Sequence, residues 1–170
     1  MKGHVSYSTC RMKRPMSLTR KPIRLLLVDD HQVVRVGLRT VLHNRQGITV
    51  VGEAASKAAA VRAVKRLKPD IVLMDVRLPD GSGIEASRDI LAECPMTRLI
   101  FLTSYANDES ALSAVLAGAH GHVLKTIDSG LLIRSIRAVS NGRSILDPAL
   151  TQRALSCGKA WPTQTHPARE

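Results

Sequence analysis

Residues 25–30 read LLLVDD and residues 71–75 read IVLMD. In both, a short apolar run stops at aspartate: Leu25–Val28 leads into Asp29 and Asp30, and Ile71–Met74 leads into Asp75. Apolar runs of this length read as strands buried on both faces, as in a parallel sheet covered by helices on either side. Ligands of such sheets bind at the carboxyl ends of the strands. Two strands that both end at aspartate therefore gather three carboxylates in one crevice. Clustered carboxylates raise one another's pKa unless a cation is present. A hard divalent ion such as Mg²⁺, held by a few carboxylates and several waters, resolves that conflict. A single aspartate after a strand would be read as a turn former or a helix N-cap. A pair with a third in matching position reads as a site.

Outward from these two stretches, strand and helix alternate. Strand one is expected over about Ile23–Asp29, followed by a helix from about Gln32 with Val34, Leu38, Val41 and Leu42 at helical spacing. Gly47 ends it, and Ile48–Gly52 reads as strand two. Ala58–Leu67 is a helix stopped by Pro69, and Asp70–Asp75 is strand three. Leu78–Gly83 reads as a Pro/Gly turn, Ile84–Ala92 as helix three and Leu99–Thr103 as strand four. Asn107-Asp108 caps a helix to about Ala117; Gly118 and Gly121 bracket the turn into strand five, His122–Leu124. Asp128–Ser140 is helix five, ended by Asn141-Gly142. Five strand–helix units in a row imply an α/β fold, a parallel sheet with right-handed crossovers.

The chain has 170 residues, enough for one domain with its own core. Apolar residues make up 44% and aromatics only 2%, so the core must be aliphatic. No apolar run reaches the length of a membrane span, and no apolar stretch follows the basic N-terminus as a secretory signal would require. Cys10, Cys94 and Cys157 are scattered, odd in number and without metal-site spacing, which fits free thiols in the cytoplasm. The net charge of +11 is uneven. Residues 1–21 hold Lys2, Arg11, Lys13, Arg14, Arg20 and Lys21 and no acid, whereas residues 22–150 hold 16 basic and 13 acidic side chains. Residues 1–21 are therefore expected to be a basic, disordered leader, with Met12 and Met16 as alternative starts. Residues 147–170 show little periodicity and contain Pro148, Pro162 and Pro167, the pattern of a linker or tail.

Two more polar residues fall at strand ends: Thr103 closes strand four and Lys125 follows strand five. With Asp29, Asp30 and Asp75 they form a set suited to phosphoryl transfer. A carboxylate can act as nucleophile and form an acyl phosphate. A divalent cation and an ammonium neutralise the transferring oxygens while a hydroxyl binds another. Taken singly, a strand-ending threonine is usually a cap and a lysine there is usually solvated; the weight lies in their common edge.

At this point the chain resembles a known family. LLLVDDHQVVRVGL (25–38), VVGEA (50–54), PDIVLMDVRLPDGSGIE (69–85), LIFLTSYAND (99–108) and GHVLK (121–125) resemble the receiver domain of bacterial two-component response regulators. The wording is nearest to the NarL/FixJ, or LuxR-type, subfamily and within it to actinobacterial hypoxia and dormancy regulators. The resemblance covers about residues 22–146. It implies a doubly wound, flavodoxin-like and CheY-like five-stranded sheet in the order 2-1-3-4-5. It implies Asp75 as phosphoacceptor and metal ligand, Asp30 as a direct ligand of Mg²⁺ (or Mn²⁺), Asp29 as the carboxylate holding a metal-bound water, and the backbone carbonyl of Arg77 as a further ligand. Thr103 would sense the phosphoryl group and Lys125 would pair with it. A sensor histidine kinase would donate the group. Helix four, strand five and helix five would then rearrange to engage a second copy or a downstream protein. Beyond its own phosphorylation and dephosphorylation no enzymatic activity is implied.

The sequence departs from the family at two places. The strand-five switch position is usually Tyr or Phe and is His122 here, a smaller, more polar ring that titrates near neutral pH. LuxR-type regulators also carry a helix-turn-helix domain, whereas residues 142–170 contain nothing that resembles a recognition helix. The expectation is a receiver whose output is a protein contact, binding DNA only if a helix-turn-helix is supplied elsewhere. The alternative is a LuxR-type transcriptional regulator truncated or encoded in two pieces. A haloacid-dehalogenase-like phosphatase fits less well, since its paired aspartates alternate after the first strand whereas Asp29 and Asp30 are adjacent.

Overall fold

In the computed structural model, residues 21–45, 47–104 and 113–146 are described. The elements in chain order are β1 (Ile23–Val28), α1 (Gln32–Leu42), β2 (Ile48–Ala54), α2 (Lys57–Leu67), β3 (Ile71–Asp75), β4 (Arg77–Leu78), β5 (Gly81–Ser82), α3 (Gly83–Glu93) and β6 (Arg98–Thr103). They continue with a helical segment at 113–116, labelled α4, then β7 (Gly121–Leu124) and α5 (Ser129–Ser140). The five long strands form one parallel sheet in the order β2-β1-β3-β6-β7, which is 2-1-3-4-5 counted within that sheet. This is the expected doubly wound, flavodoxin-like arrangement.

The two-residue period of the strands divides the core. Leu25 and Leu27 of β1, Ile71 and Leu73 of β3, and Ile100 and Leu102 of β6 share one face with Leu42 of α1 and with Leu132, Ile133, Ile136 and Val139 of α5. Leu26, Val28, Val72, Met74, Leu99 and Phe101 share the other with Ala60, Ala63 and Val64 of α2 and Ala86 and Ile90 of α3. Strands that feed both faces have no polar position to spare, so the runs are continuously apolar. Each fully buried aliphatic side chain contributes about 1.5–3 kcal/mol. Small residues face the sheet from α2 and α3, which lets those helices approach closely.

β2 breaks the alternation. Leu25 pairs with Val50, but Leu26 pairs with Gly52, so Val51 is an extra residue. Its bulge moves the strand from one face to the other: Val50 packs with Leu25, whereas Ala54 packs with Leu26 and Val28.

Element ends differ from expectation where side chains intervene. β2 continues past Gly52 to Ala54, since Leu27 and Val28 still need partners. β1 stops at Val28, where the Asp29 carboxylate turns back to accept the His31 N–H at 2.9 Å, and β3 starts at Ile71, with the Asp70 carboxylate accepting the Arg24 N–H of β1 at 2.8 Å. The turn expected over Leu78–Gly83 holds a small antiparallel ribbon, β4 with β5, and Gly83 already belongs to α3. β7 begins one residue early at Gly121, where Ile145 returns after α5 and adds a parallel bridge. The expected cap at Asn107-Asp108 lies outside the described residues, as do the leader at 1–20 and the tail at 147–170. Helix five matches closely: Asp128 accepts from the Gly130 and Leu131 N–H groups, and Gly142, at φ +85°, turns the chain out.

Candidate functional site

All the strand-end residues singled out in the sequence open onto the carboxyl edge of the sheet. β1 pairs with β3, β3 with β6 and β6 with β7 in parallel register, which brings Asp29, Asp75, Thr103 and Lys125 to the same end of the sheet. The Lys125 ammonium lies 2.6 Å from Asp29 Oδ2 and donates a 2.7 Å hydrogen bond to Asp75 Oδ2. It thus bridges carboxylates that are 46 positions apart in sequence. Asp29 is 1% exposed and the lysine side chain 15% exposed. Burial alone would lower the lysine's pKa, but hydrogen bonds and charge from Asp29 and Asp75 outweigh it and leave the pKa raised. Lys125 is also fixed through its backbone, whose N–H donates to the Thr103 carbonyl at 2.7 Å. Thr103 itself is buried at the end of β6.

The loop after β3 is tied down at several points. Arg77 N–H donates to Asp75 Oδ1 at 3.3 Å, and Gly83 N–H donates to the Val76 carbonyl at 2.9 Å. A Cβ at Gly83 would overlap the Asp75 carbonyl oxygen, so only glycine lets α3 begin this close to the end of β3. Asp80, at the tip of the β4–β5 ribbon, accepts from the Lys57 and Ala58 N–H groups of α2 at 2.6 and 2.9 Å. Those backbone bonds, with Ala58 contributing most, hold its carboxyl below the usual range. Its part in anchoring the loop was not read from the sequence.

One more residue joins the crevice. Oxygen and nitrogen atoms of Asp29, Asp30, His31 and Asp75 all lie within 4.8 Å of one another. His31 Nδ1 is 2.7 Å from Asp30 Oδ1 and 3.2 Å from Asp29 Oδ1. The signal for His31 was only its place after the aspartate pair. Three carboxylates, those of Asp29, Asp30 and Asp75, converge here, and the Lys125 ammonium contacts two of them. Asp29 Oδ2 is buried against the Lys125 ammonium. Carboxylate oxygens that outnumber the ammonium beside them suit a hard divalent cation.

His122 sits apart from this cluster, in β7 opposite Phe101. It is half-buried, and its Nε2 has no hydrogen-bond partner among the described residues. Burial pushes its pKa down from the ordinary histidine value.

A parallel sheet in this order is the doubly wound, flavodoxin-like class of α/β fold, and here an acidic crevice with a lysine opens at its carboxyl edge. Residues 25–137 match the response regulator receiver domain model, and the chain belongs to that family. It is 49% identical over 125 residues to the DNA-binding transcriptional activator DevR/DosR of Mycobacterium tuberculosis; the alignment covers 74% of this chain and 58% of that one. The chain thus spans less than two-thirds of that relative's length. Among solved structures it is similar to a two-component response regulator of the LuxR family from Aurantimonas sp. SI85-9A1. There the identity is 38% and the TM-score 0.71, covering 79% of this chain and 96% of that one. The response regulator domain of Thermotoga maritima CheB is 30% identical with a TM-score of 0.65, covering 75% and 99%. The chain is a receiver of the two-component phosphorelay type. Among the described residues no helix is long and apolar enough to cross a membrane.

Proposed function

We propose that the protein accepts a phosphoryl group on Asp75 from a sensor histidine kinase in the cytoplasm and signals by a change of surface at α4, β7 and α5. The observation that carries this reading is the Lys125 bridge to Asp29 and Asp75 at the common edge of β1, β3 and β7. Asp75 Oδ attacks phosphorus as the bond from phosphorus to the donor's histidine nitrogen breaks, leaving an acyl phosphate on Asp75 and a free imidazole on the donor. Lys125, held charged by its raised pKa, turns from the Asp75 carboxylate to a phosphoryl oxygen. Thr103 would bind a second oxygen through its hydroxyl. Mg²⁺, or Mn²⁺, held by Asp29, Asp30 and the Arg77 carbonyl, would supply charge neutralisation at the remaining oxygens. Residues 22–146 would form the receiver, with 1–21 as a basic leader and 147–170 as a linker or tail. Hydrolysis of the acyl phosphate in the same crevice would end the signal.

Incubation with acetyl phosphate and Mg²⁺ followed by intact mass spectrometry tests this. One phosphoryl adduct is expected, lost in Asp75→Asn and in excess chelator. Full labelling of Asp75→Asn would sink the assignment.

A second reading, favoured by the similarity to a DNA-binding transcriptional activator, makes this receiver the phosphorylated part of a LuxR-type transcription regulator. A helix-turn-helix encoded immediately downstream would support it.

A further inference from the structure

Arg35 stands in the first turn of α1, where the free N–H groups of a helix disfavour a cation. Its side chain is only 15% exposed. The guanidinium turns back over the start of the helix and donates from Nη1 to the backbone carbonyl of Asp29 at 2.6 Å. From Nε it donates to Glu53 Oε2 at 3.2 Å. Arg39, one turn further along α1, donates to Glu53 Oε1 at 2.9 Å and is 55% exposed. The Arg39 pair is an exposed contact of the kind that contributes little. Arg35 differs in its second acceptor, which belongs to the crevice.

The bulge in β2 is what aims Glu53 at this guanidinium. Val50 shares the α1 face of the sheet with Leu25, and strict alternation from it would turn residue 53 toward α2. The extra residue Val51 shifts the phase. Gly52 takes the α2 face, against Leu26 and Leu67, and Glu53 pairs with Leu27 on the face of α1. Bulges beside functional sites re-aim side chains in this way. Glu53 thus orients a planar fork that serves two acceptors at once, which a lysine ammonium cannot do in the same geometry.

We infer that Arg35, anchored by Glu53, is a positioning residue of the crevice: it fixes the peptide that joins Asp29 to Asp30. That peptide is planar, so a bond to the Asp29 carbonyl sets the direction in which both acids leave the main chain. The Asp29 carboxylate is then held by the His31 N–H at 2.9 Å and the Lys125 ammonium at 2.6 Å. Without the guanidinium the turn must be ordered anew each time an ion binds, which weakens the hold on that ion. The inference rests on the reading of Asp29 and Asp30 as the acids that hold a cation.

The ¹⁵N-labelled full chain is titrated with Mg²⁺ and followed by its backbone amide shifts, and initial rates of labelling by acetyl phosphate are measured over the same Mg²⁺ range. Arg35→Gln is expected to need several-fold more Mg²⁺ for half-saturation in both titrations, while its labelling rate at saturating Mg²⁺ stays near that of the wild type. Glu53→Ala should shift half-saturation in the same direction by less, and it keeps the test available if Arg35→Gln folds poorly. Arg39→Gln, which removes the other cation at Glu53, should leave half-saturation unchanged. Wild-type half-saturation in both Arg35→Gln and Glu53→Ala, or an equal shift in Arg39→Gln, would overturn the positioning role and leave the receiver site intact. A wild type whose Asp29 and Asp30 amides do not respond to Mg²⁺ would instead overturn the reading of these acids as the cation's site, and the role of Arg35 would fall with it.

Discussion

Lys125 is the residue on which the crevice balances. Without it, Asp29 and Asp75 face each other with no cation, and Asp29 cannot turn to water. Removing one partner of a buried ion pair costs about 3–5 kcal/mol, and partial exposure of the lysine reduces this to about 1–2 kcal/mol. Lys125→Ala is therefore expected to lower the urea midpoint, and Mg²⁺ should raise that midpoint more in the variant than in the wild type. Equal responses to Mg²⁺ would disprove the charge argument. Gly83→Ala acts through shape instead. Its Cβ overlaps the Asp75 carbonyl oxygen, so α3 must move at a cost of about 1–3 kcal/mol, and Asp75 moves with it. Slower labelling by acetyl phosphate alongside lower stability is the expected result. At this scale the positions of the strand-end residues were legible, because an apolar run of strand length that stops at a polar residue marks where the edge of the sheet falls. It was silent on His31 and Asp80, whose roles depend on where a ring and a loop tip fall in space.

Elements were legible where one periodicity or one cap decides them. α5 has a single apolar stripe between Asp128 and Gly142, and both ends fell where the residues indicate. β2 was cut short because Gly52 reads as a terminator; the bulge at Val51 instead lets the strand cross faces and run on to Ala54. A bulge arises from pairing with β1 and leaves no mark in composition. β7 carries a pH dependence that follows from burial. His120 and His122 both have pKa values pushed down from 6.5 by burial, with the Arg98 charge adding to the shift of His120. The unfolded chain protonates near pH 6.5 while the fold keeps both rings neutral. Stability is thus fully present above pH 6.5 and declines as pH falls below it toward the lowered native values. Replacing His122 with Phe, which cannot titrate, should flatten the fall in the urea midpoint between pH 6.5 and 5.5. An unchanged slope would show that His122 contributes nothing to it.

For the whole molecule, the core closes between Ile23 of β1 and Ile145, which packs over Gly121 and donates its N–H to the His120 carbonyl at 2.9 Å. Every strand of the five-stranded sheet and the lysine-bridged crevice lie inside that interval. A fragment of residues 22–146 should therefore fold, unfold cooperatively and accept one phosphoryl group on Asp75. The charge is distributed differently from the core. The six basic residues and no acid of residues 1–21 contrast with the near balance of residues 22–150. Any affinity of the full chain for duplex DNA should come from that segment through phosphate contacts, which release counterions and read no bases. A plot of log affinity against log salt should be steep for the full chain and the same for unrelated DNA sequences, while the 22–146 fragment should bind no better than a neutral protein. Sequence-selective binding by the full chain that persists at high salt would show that a base-reading element lies within the chain, and would favour a transcription regulator over a receiver that signals through protein contacts.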